Sequence, residues 1–159
     1  MSASGDETSW PSQRASLLAT LAIGIGMMAA LDEIVFHQVL AWHHFFDFST
    51  DAFALASDGL LHSGELILLV AGFFRFAELR RRRILGPTSA WSGFWFGMGA
   101  FQLFDGIIDH KVLHLHQIRY VDELWLYDLG WNLAGAAMIA LGVALLRRAR
   151  RLPERPPHA

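Results

Sequence analysis

The chain has 159 residues, enough for one compact unit. Apolar residues make up 53% of it and charged residues 18%, and this excess of apolar residues over the average soluble domain favours a membrane protein. The sequence has no cysteine, which excludes disulfides, thiolate metal ligands and iron–sulfur clusters held by cysteine.

Residues 1–14 form a polar, slightly acidic segment that we predict to be a cytoplasmic tail. The apolar run that follows is too long for a secretory signal, so we interpret it as a retained membrane helix. Lipid requires backbone groups to bond within their own segment, which predicts four transmembrane helices over 15–45, 52–79, 89–117 and 123–148. These helices form one domain, 15–151, and the proline-rich tail 152–159 is predicted to be disordered.

Arginine clusters follow the second and fourth predicted helices, at 80–83 and 147–151, whereas the opposite loops are mainly acidic. The positive-inside rule then places both clusters and both termini in the cytoplasm. We interpret these arginines as topology anchors in contact with the lipid bilayer. No motif for nucleic-acid binding is visible.

An internal repeat relates the two halves of the chain. The segment Gly26–His43 aligns without gaps to Gly99–His116. The alignment pairs Asp32 with Asp105, His37 with His110, and His43 with His116. The sequence therefore predicts an all-α bundle of four transmembrane helices, built from two duplicated helical hairpins.

Ionisable residues occupy one face of each predicted helix, as expected for groups that avoid lipid. Counting residues inward from the outer loops places His37, His62 and His110 at similar depth, with Asp58 and Asp109 close by. A shallower layer contains His43, His44, His114 and His116, and a deeper one contains Asp32, Asp105, Glu33 and Glu65.

Imidazole and carboxylate groups are the ligands of zinc, iron and copper sites. The pattern therefore predicts a metal ion bound by His37, His62, His110, Asp58, His43, His44 and His116. Three histidines would leave an open position at the metal, with Asp58 and Asp109 as candidate catalytic carboxylates.

Three stretches carry a family resemblance. They are Asp32-x4-His37-Gln38-x-Leu40-x-Trp42-His43-His44, Asp58-Gly59-Leu60-Leu61-His62 and Asp105-Gly106-x2-Asp109-His110-x2-Leu113-x2-His116. Together, over about Leu21 to Leu146, they resemble a bacterial four-helix membrane family catalogued as domain-of-unknown-function family 2243. The resemblance implies a multi-pass protein of the bacterial inner membrane and no established activity.

Several functions remain open on this sequence. The first is a metal-dependent hydrolase or oxidoreductase that acts on an unidentified small molecule, either lipid-soluble or periplasmic. A b-type haem protein, with His37 and His110 or His43 and His116 as axial pairs, ranks lower because carboxylates crowd the same layer. A metal or proton transporter is the third, and so small a chain would then favour a homodimer. The polar groups could also form a purely structural hydrogen-bond network.

Overall fold

The fold is helical throughout the described part of the chain, residues 9–151 of a computed structural model. Helix α1 spans Trp10–Asp32 and continues as a π-helical segment, Glu33–Val39. Helix α2 spans Asp51–Arg81, and α3 spans Pro87–Leu103 and continues as a second π-helical segment, Phe104–Val112. Helix α4 spans Leu124–Arg151. Residues 9–151 contain no strand, which confirms the all-α class. The tail 152–159 and residues 1–8 of the N-terminal tail lie outside the described residues.

Local signals set the start of α1 and both ends of α2. Helix α1 begins at Trp10, earlier than position 15, because Ser9 has an extended backbone and a proline occupies the first turn, where an N–H donor is not needed. Thr50 caps α2 by accepting a hydrogen bond from the N–H of Phe53 at 3.3 Å. At the other end Arg83 adopts a left-handed backbone, with φ of 57°, which stops the helix.

The first and third helices end earlier than the sequence predicts, at Val39 and Val112 rather than at 45 and 117. In each π-helical segment the N–H groups bond five residues back, as Leu40 does to Val35 and Leu113 does to Ile108. The residues that follow, Ala41 and His114, have left-handed φ angles of 47° and 52°. The chain therefore turns out of each helix and back toward the bundle.

Helices α1 and α3 run parallel and form the centre of the bundle. A Cβ atom at Gly24 would lie 2.2 Å from the carbonyl oxygen of Phe94, and one at Gly97 would lie 2.2 Å from the carbonyl oxygen of Leu21. Only glycine permits this backbone-to-backbone approach. The hydroxyl of Thr20 donates to the carbonyl of Ala90 at 2.6 Å and adds a hydrogen bond across the same interface.

The outer helices pack antiparallel to the central pair, α2 against α1 and α4 against α3. Gly26 faces the backbone of Glu65 and Gly72 faces that of Ala19, so α2 descends as α1 rises. The guanidinium of Arg150, at the end of α4, lies 4.9 Å from the ring of Trp10, at the start of α1. Both arginine clusters therefore lie at one end of the bundle, and loops 40–50 and 113–123 lie at the other.

Three helical stretches are long and apolar enough to cross a membrane: Trp10–Val39, Asp51–Arg81 and Leu124–Arg151. The third helix with its π-helical segment, 87–112, is not among them, although the sequence predicts four spans. Its glycine, serine and glutamine residues lower its hydropathy, and several of them, including Ser92, Gly97 and Gln102, are buried against α1 and α4.

We expect Gly97→Ala to destabilise the bundle by about 1–3 kcal/mol, since the added methyl group would force α1 and α3 apart. Thermal unfolding in detergent, followed by circular dichroism, measures the effect. Gly64→Ala is the matched control, because no heavy atom of the described chain lies within 4 Å of its Cβ position. An equal loss of stability in both variants would contradict the proposed packing.

Candidate metal centre

A cluster of buried polar side chains lies at the end of α1 and α3 opposite the arginines. Each member exposes between 0% and 4% of its surface, and the members are Asp32, His37, His43, Asp105, His110 and His116. The two π-helical segments and the two turns after them supply the four histidines. The turns are essential, because they return His43 and His116 to the depth of His37 and His110.

The four imidazoles form a row. Ring centroids are 4.4 Å apart for His37 and His43, 4.5 Å for His43 and His116, and 4.6 Å for His116 and His110. The middle pair is stacked with planes 10° apart, whereas each outer pair is T-shaped, at 71° and 80°. The cluster thus brings together residues that the sequence places in three separate layers.

Three of the four rings are fixed through their Nδ1 atoms. His43 donates to the carbonyl oxygen of Ile118 at 3.0 Å, and His116 donates to the carbonyl oxygen of Phe45 at 3.0 Å. These two bonds cross between the halves of the chain. His37 donates to the carboxylate of Asp58 at 3.1 Å. Such bonds orient an imidazole and leave Nε2 as the metal-binding atom.

The Nε2 atoms of all four histidines are buried and have no hydrogen-bond partner within residues 9–151. Asp105 faces two of them, with oxygens 3.2 Å from His110 Nε2 and 3.3 Å from His116 Nε2, without hydrogen-bond geometry. Bonds of about 2.0–2.1 Å in a tetrahedral site separate donor atoms by about 3.3 Å. The spacing therefore suits ligands of one ion.

His43 lies in the loop that follows the first spanning stretch, and its charge state can be assigned. Burial, and secondly the neighbouring His116 ring, lower the pKa of His43 to about 2. The ring is therefore neutral near pH 7. Because its Nδ1 donates to a carbonyl, the lone pair is on Nε2, as metal ligation requires.

Asp58, predicted as a ligand and as a catalytic carboxylate, lies beside the cluster and orients its neighbours. Besides the His37 ring, its carboxylate accepts from His44 Nδ1 at 2.6 Å and from the N–H of Phe45 at 2.8 Å. His44, another predicted ligand, is 40% exposed in its side chain. Asp58 thus fixes both the His37 ring and the loop that carries His43.

His62 lies outside the row of imidazoles, although the sequence groups it with His37 and His110. Its Nδ1 is 2.6 Å from Glu65 and its Nε2 is 3.6 Å from Glu33. Glu33 in turn has an oxygen 2.8 Å from His37 Nδ1. The His62 side chain is 40% exposed, so this chain of contacts runs from the cluster to the bundle surface.

The carboxylates that join the cluster are Asp32 and Asp105, which the sequence analysis does not assign as ligands. Asp32 has an oxygen 3.7 Å from His37 Nε2. Their equivalent positions in the repeat were the signal that could have identified them. Asp109, the second predicted catalytic carboxylate, is buried next to the cluster and interacts electrostatically with Asp105 and His116.

Potential ligand atoms within 4.8 Å of one another define three buried groups. The groups are His37, His43 and His116; Asp105, His110 and His116; and Glu33, His37 and Asp58. Imidazole nitrogen combined with carboxylate oxygen suits zinc, iron or copper. In the first two groups the histidine Nε2 atoms have no hydrogen-bond partner among the described residues. In the third group the carboxylates of Glu33 and Asp58 approach the Nδ1 atom of His37 instead.

Comparison with known proteins identifies a family. The family described as "Predicted membrane protein (DUF2243)" matches residues 19–149. No curated protein and no solved structure shows significant similarity to the chain.

Replacement of Asp58 by alanine should loosen the loop at residues 43–46, because it removes the acceptor for two imidazoles and one backbone N–H. Leaving buried donors unpaired costs about 1–3 kcal/mol. Hydrogen exchange measured by mass spectrometry should show faster exchange at 43–46 in Asp58→Ala. Asp51→Ala, at the exposed start of α2, is the control, and unchanged exchange in Asp58→Ala would refute the assigned role.

Proposed function

The chain belongs to the DUF2243 family of predicted membrane proteins, and on that premise we propose that it is a membrane metalloprotein. In this proposal the buried histidines and aspartates bind a transition metal that supports hydrolytic or redox chemistry on a lipid-soluble or periplasmic small molecule. The observation that carries the proposal is the row of four imidazoles whose buried Nε2 atoms lack hydrogen-bond partners within residues 9–151. Unpaired polar atoms in an apolar interior cost free energy, and coordination to metal would compensate that cost.

The same geometry argues against a haem site. The predicted axial pair His43 and His116 is stacked with ring centroids 4.5 Å apart, too close for the two rings to bind opposite faces of one iron. Two wider pairs, His37 with His116 and His43 with His110, have ring centroids 6.0 and 6.2 Å apart. The space between each pair is occupied by the other imidazoles, at 4.4–4.6 Å. A porphyrin needs a flat slot between its axial ligands, and the row of rings fills that space.

We also propose that the two halves arose by duplication. Matching features recur 73 positions apart, such as the left-handed residues Ala41 and His114. His43 bonds to the carbonyl of Ile118, which follows Phe45 by the same interval, and His116 bonds to the carbonyl of Phe45. The reciprocal contacts of Gly24 and Gly97 follow the same relation. These correspondences support two hairpins related by an approximate two-fold axis.

The proposed topology has four spans and a cytoplasmic end that carries both arginine clusters. Helices α2 and α4 each finish at this end, so the segment 87–112 must return the chain to the opposite side between them. Burial of its polar residues against α1 and α4 explains how a less apolar helix could cross the inner membrane. The metal centre would then lie near the periplasmic side.

A second candidate function is movement of metal ions or protons through the bundle. The contacts from half-exposed His62 through Glu33 to His37 favour it. Flux of Zn²⁺ or protons into proteoliposomes would support transport. Bound metal without flux would support the enzyme.

Purified protein carrying a tag without histidine should contain tightly bound zinc, iron or copper by elemental analysis. The double variant His43→Asn/His116→Asn should lower metal affinity by more than about tenfold, since the loss of even a residue that orients a ligand costs about 10–100-fold. The control His62→Asn/His114→Asn removes two histidines outside the row and should retain the metal. Metal-free wild-type protein, or equal losses in both variants, would defeat the proposal.

Topology can be tested with single cysteines, because the native chain has none. In whole cells stripped of the outer membrane, an impermeant maleimide should label Ser49→Cys, in the loop between α1 and α2. It should label Arg148→Cys only after the membrane is permeabilised. The reverse pattern would show that the arginine-rich end faces outward.

A further inference from the structure

We infer that the centre holds two metal ions, one for each half of the chain. The inference rests on the proposed function and adds a second metal site to it. One ion would be bound by Asp32, His37 and His43, and the other by Asp105, His110 and His116. Each set is one carboxylate and two imidazoles, a donor combination common in iron and zinc sites.

The stacked pair of imidazoles is the main argument for two ions. A metal bound at Nε2 lies in the plane of its imidazole, because the nitrogen lone pair lies in that plane. The rings of His43 and His116 are stacked with planes only 10° apart and centroids 4.5 Å apart. An ion bound by both rings would have to lie in both ring planes. Two stacked and nearly parallel planes do not meet near the rings, so this geometry favours separate ions for His43 and His116.

The T-shaped pairs have the geometry for sharing an ion. The planes of His37 and His43 cross at 71°, and those of His110 and His116 cross at 80°. Suppose that two imidazoles bind one ion through Nε2–metal bonds of about 2.0–2.1 Å, with an angle of about 90–110° between the bonds. Their ring centroids then lie about 4.5–5 Å apart. The observed separations of 4.4 and 4.6 Å agree with this value. Each half of the chain therefore supplies one pair of imidazoles that could bind the same ion.

The carboxylates divide in the same way. Asp105 lies 3.2 and 3.3 Å from the Nε2 atoms of His110 and His116, the two histidines of its own half. Asp32 approaches His37, also of its own half, at 3.7 Å, and its Oδ1 is buried without a partner among the described residues. Asp105 thus completes a set of three donors in its own half. In the other half Asp32 contacts, within the described chain, His37 alone. The ligand atoms of His37 and His43 also lie within 4.8 Å of that of His116.

The two ions would be close neighbours, because the ligand atoms of His37, His43 and His116 lie within 4.8 Å of one another. Asp32 and Asp105 supply two negative charges as ligands, and the buried carboxylates of Glu33, Asp58 and Asp109 lie beside the centre. Paired metal ions commonly hold the attacking and leaving oxygens of a reaction between them. The chemical class of ligand expected here is therefore an oxygen donor that can bridge two metals.

The decisive experiment counts metal ions in the detergent-solubilised wild-type chain, carrying a tag without histidine. Loading with Cu²⁺ followed by removal of weakly bound ions should leave two ions per chain by elemental analysis. Electron paramagnetic resonance should show magnetic coupling between them. One uncoupled ion per chain would overturn the two-ion inference and leave the proposed function standing, whereas no bound ion would overturn both.

Half-site variants provide a second measurement. Asp105→Asn/His116→Asn and Asp32→Asn/His43→Asn should each retain one Cu²⁺ and lose the coupling. A single shared ion would be lost in both. Gel filtration and circular dichroism identify variants that fail to fold, and the wild-type count decides the question without any substitution.

Discussion

The bonds from His43 to the carbonyl of Ile118 and from His116 to the carbonyl of Phe45 are the constraint on which the candidate metal centre depends. Each connects a ring from one half of the chain to the backbone of the other. They give each carbonyl group a donor, and they fix the orientation of two imidazoles. Because of these bonds, the loops after the π-helical segments fold against each other and bring the side chains of His43 and His116 into the bundle.

Close packing of α1 and α3 is the second requirement. The glycines at their contact let the two backbones touch, so the π-helical segments that extend from both helices end side by side. A π-helical stretch is wider than an α-helix and changes the direction of the side chains that follow it. The close contact and the change of direction together place His37 and His110 on the same side of the central pair, where the loops add His43 and His116.

The surroundings of the centre are less symmetric than the centre itself. On the α2 side, Glu33 contacts His37 and His62. At the matching position on the other side is Gly106, where a Cβ atom would lie 2.5 Å from the ring of Trp131. A bulky indole therefore covers one side of the cluster, and a chain of ionisable groups leads from the other side to half-exposed His62. Under the proposed function, this difference would place access for substrate, ions or protons on the α2 side.

The sequence by itself determined the helical class, the approximate helices and the presence of a histidine- and carboxylate-rich region. Apolar length, charge distribution and helical spacing are local properties, and they depend only on nearby residues. The tertiary structure decided which of those residues meet. A helical-wheel projection assumes a regular α-helix through His43 and His116. It therefore cannot predict the π-helical segments or the left-handed residues Ala41 and His114. The bonds that hold the His43 and His116 rings run to the opposite half of the chain, and helical spacing within one segment therefore cannot show which rings meet. For the same reason it cannot show that Asp32 and Asp105 join the cluster while His62 lies beside it.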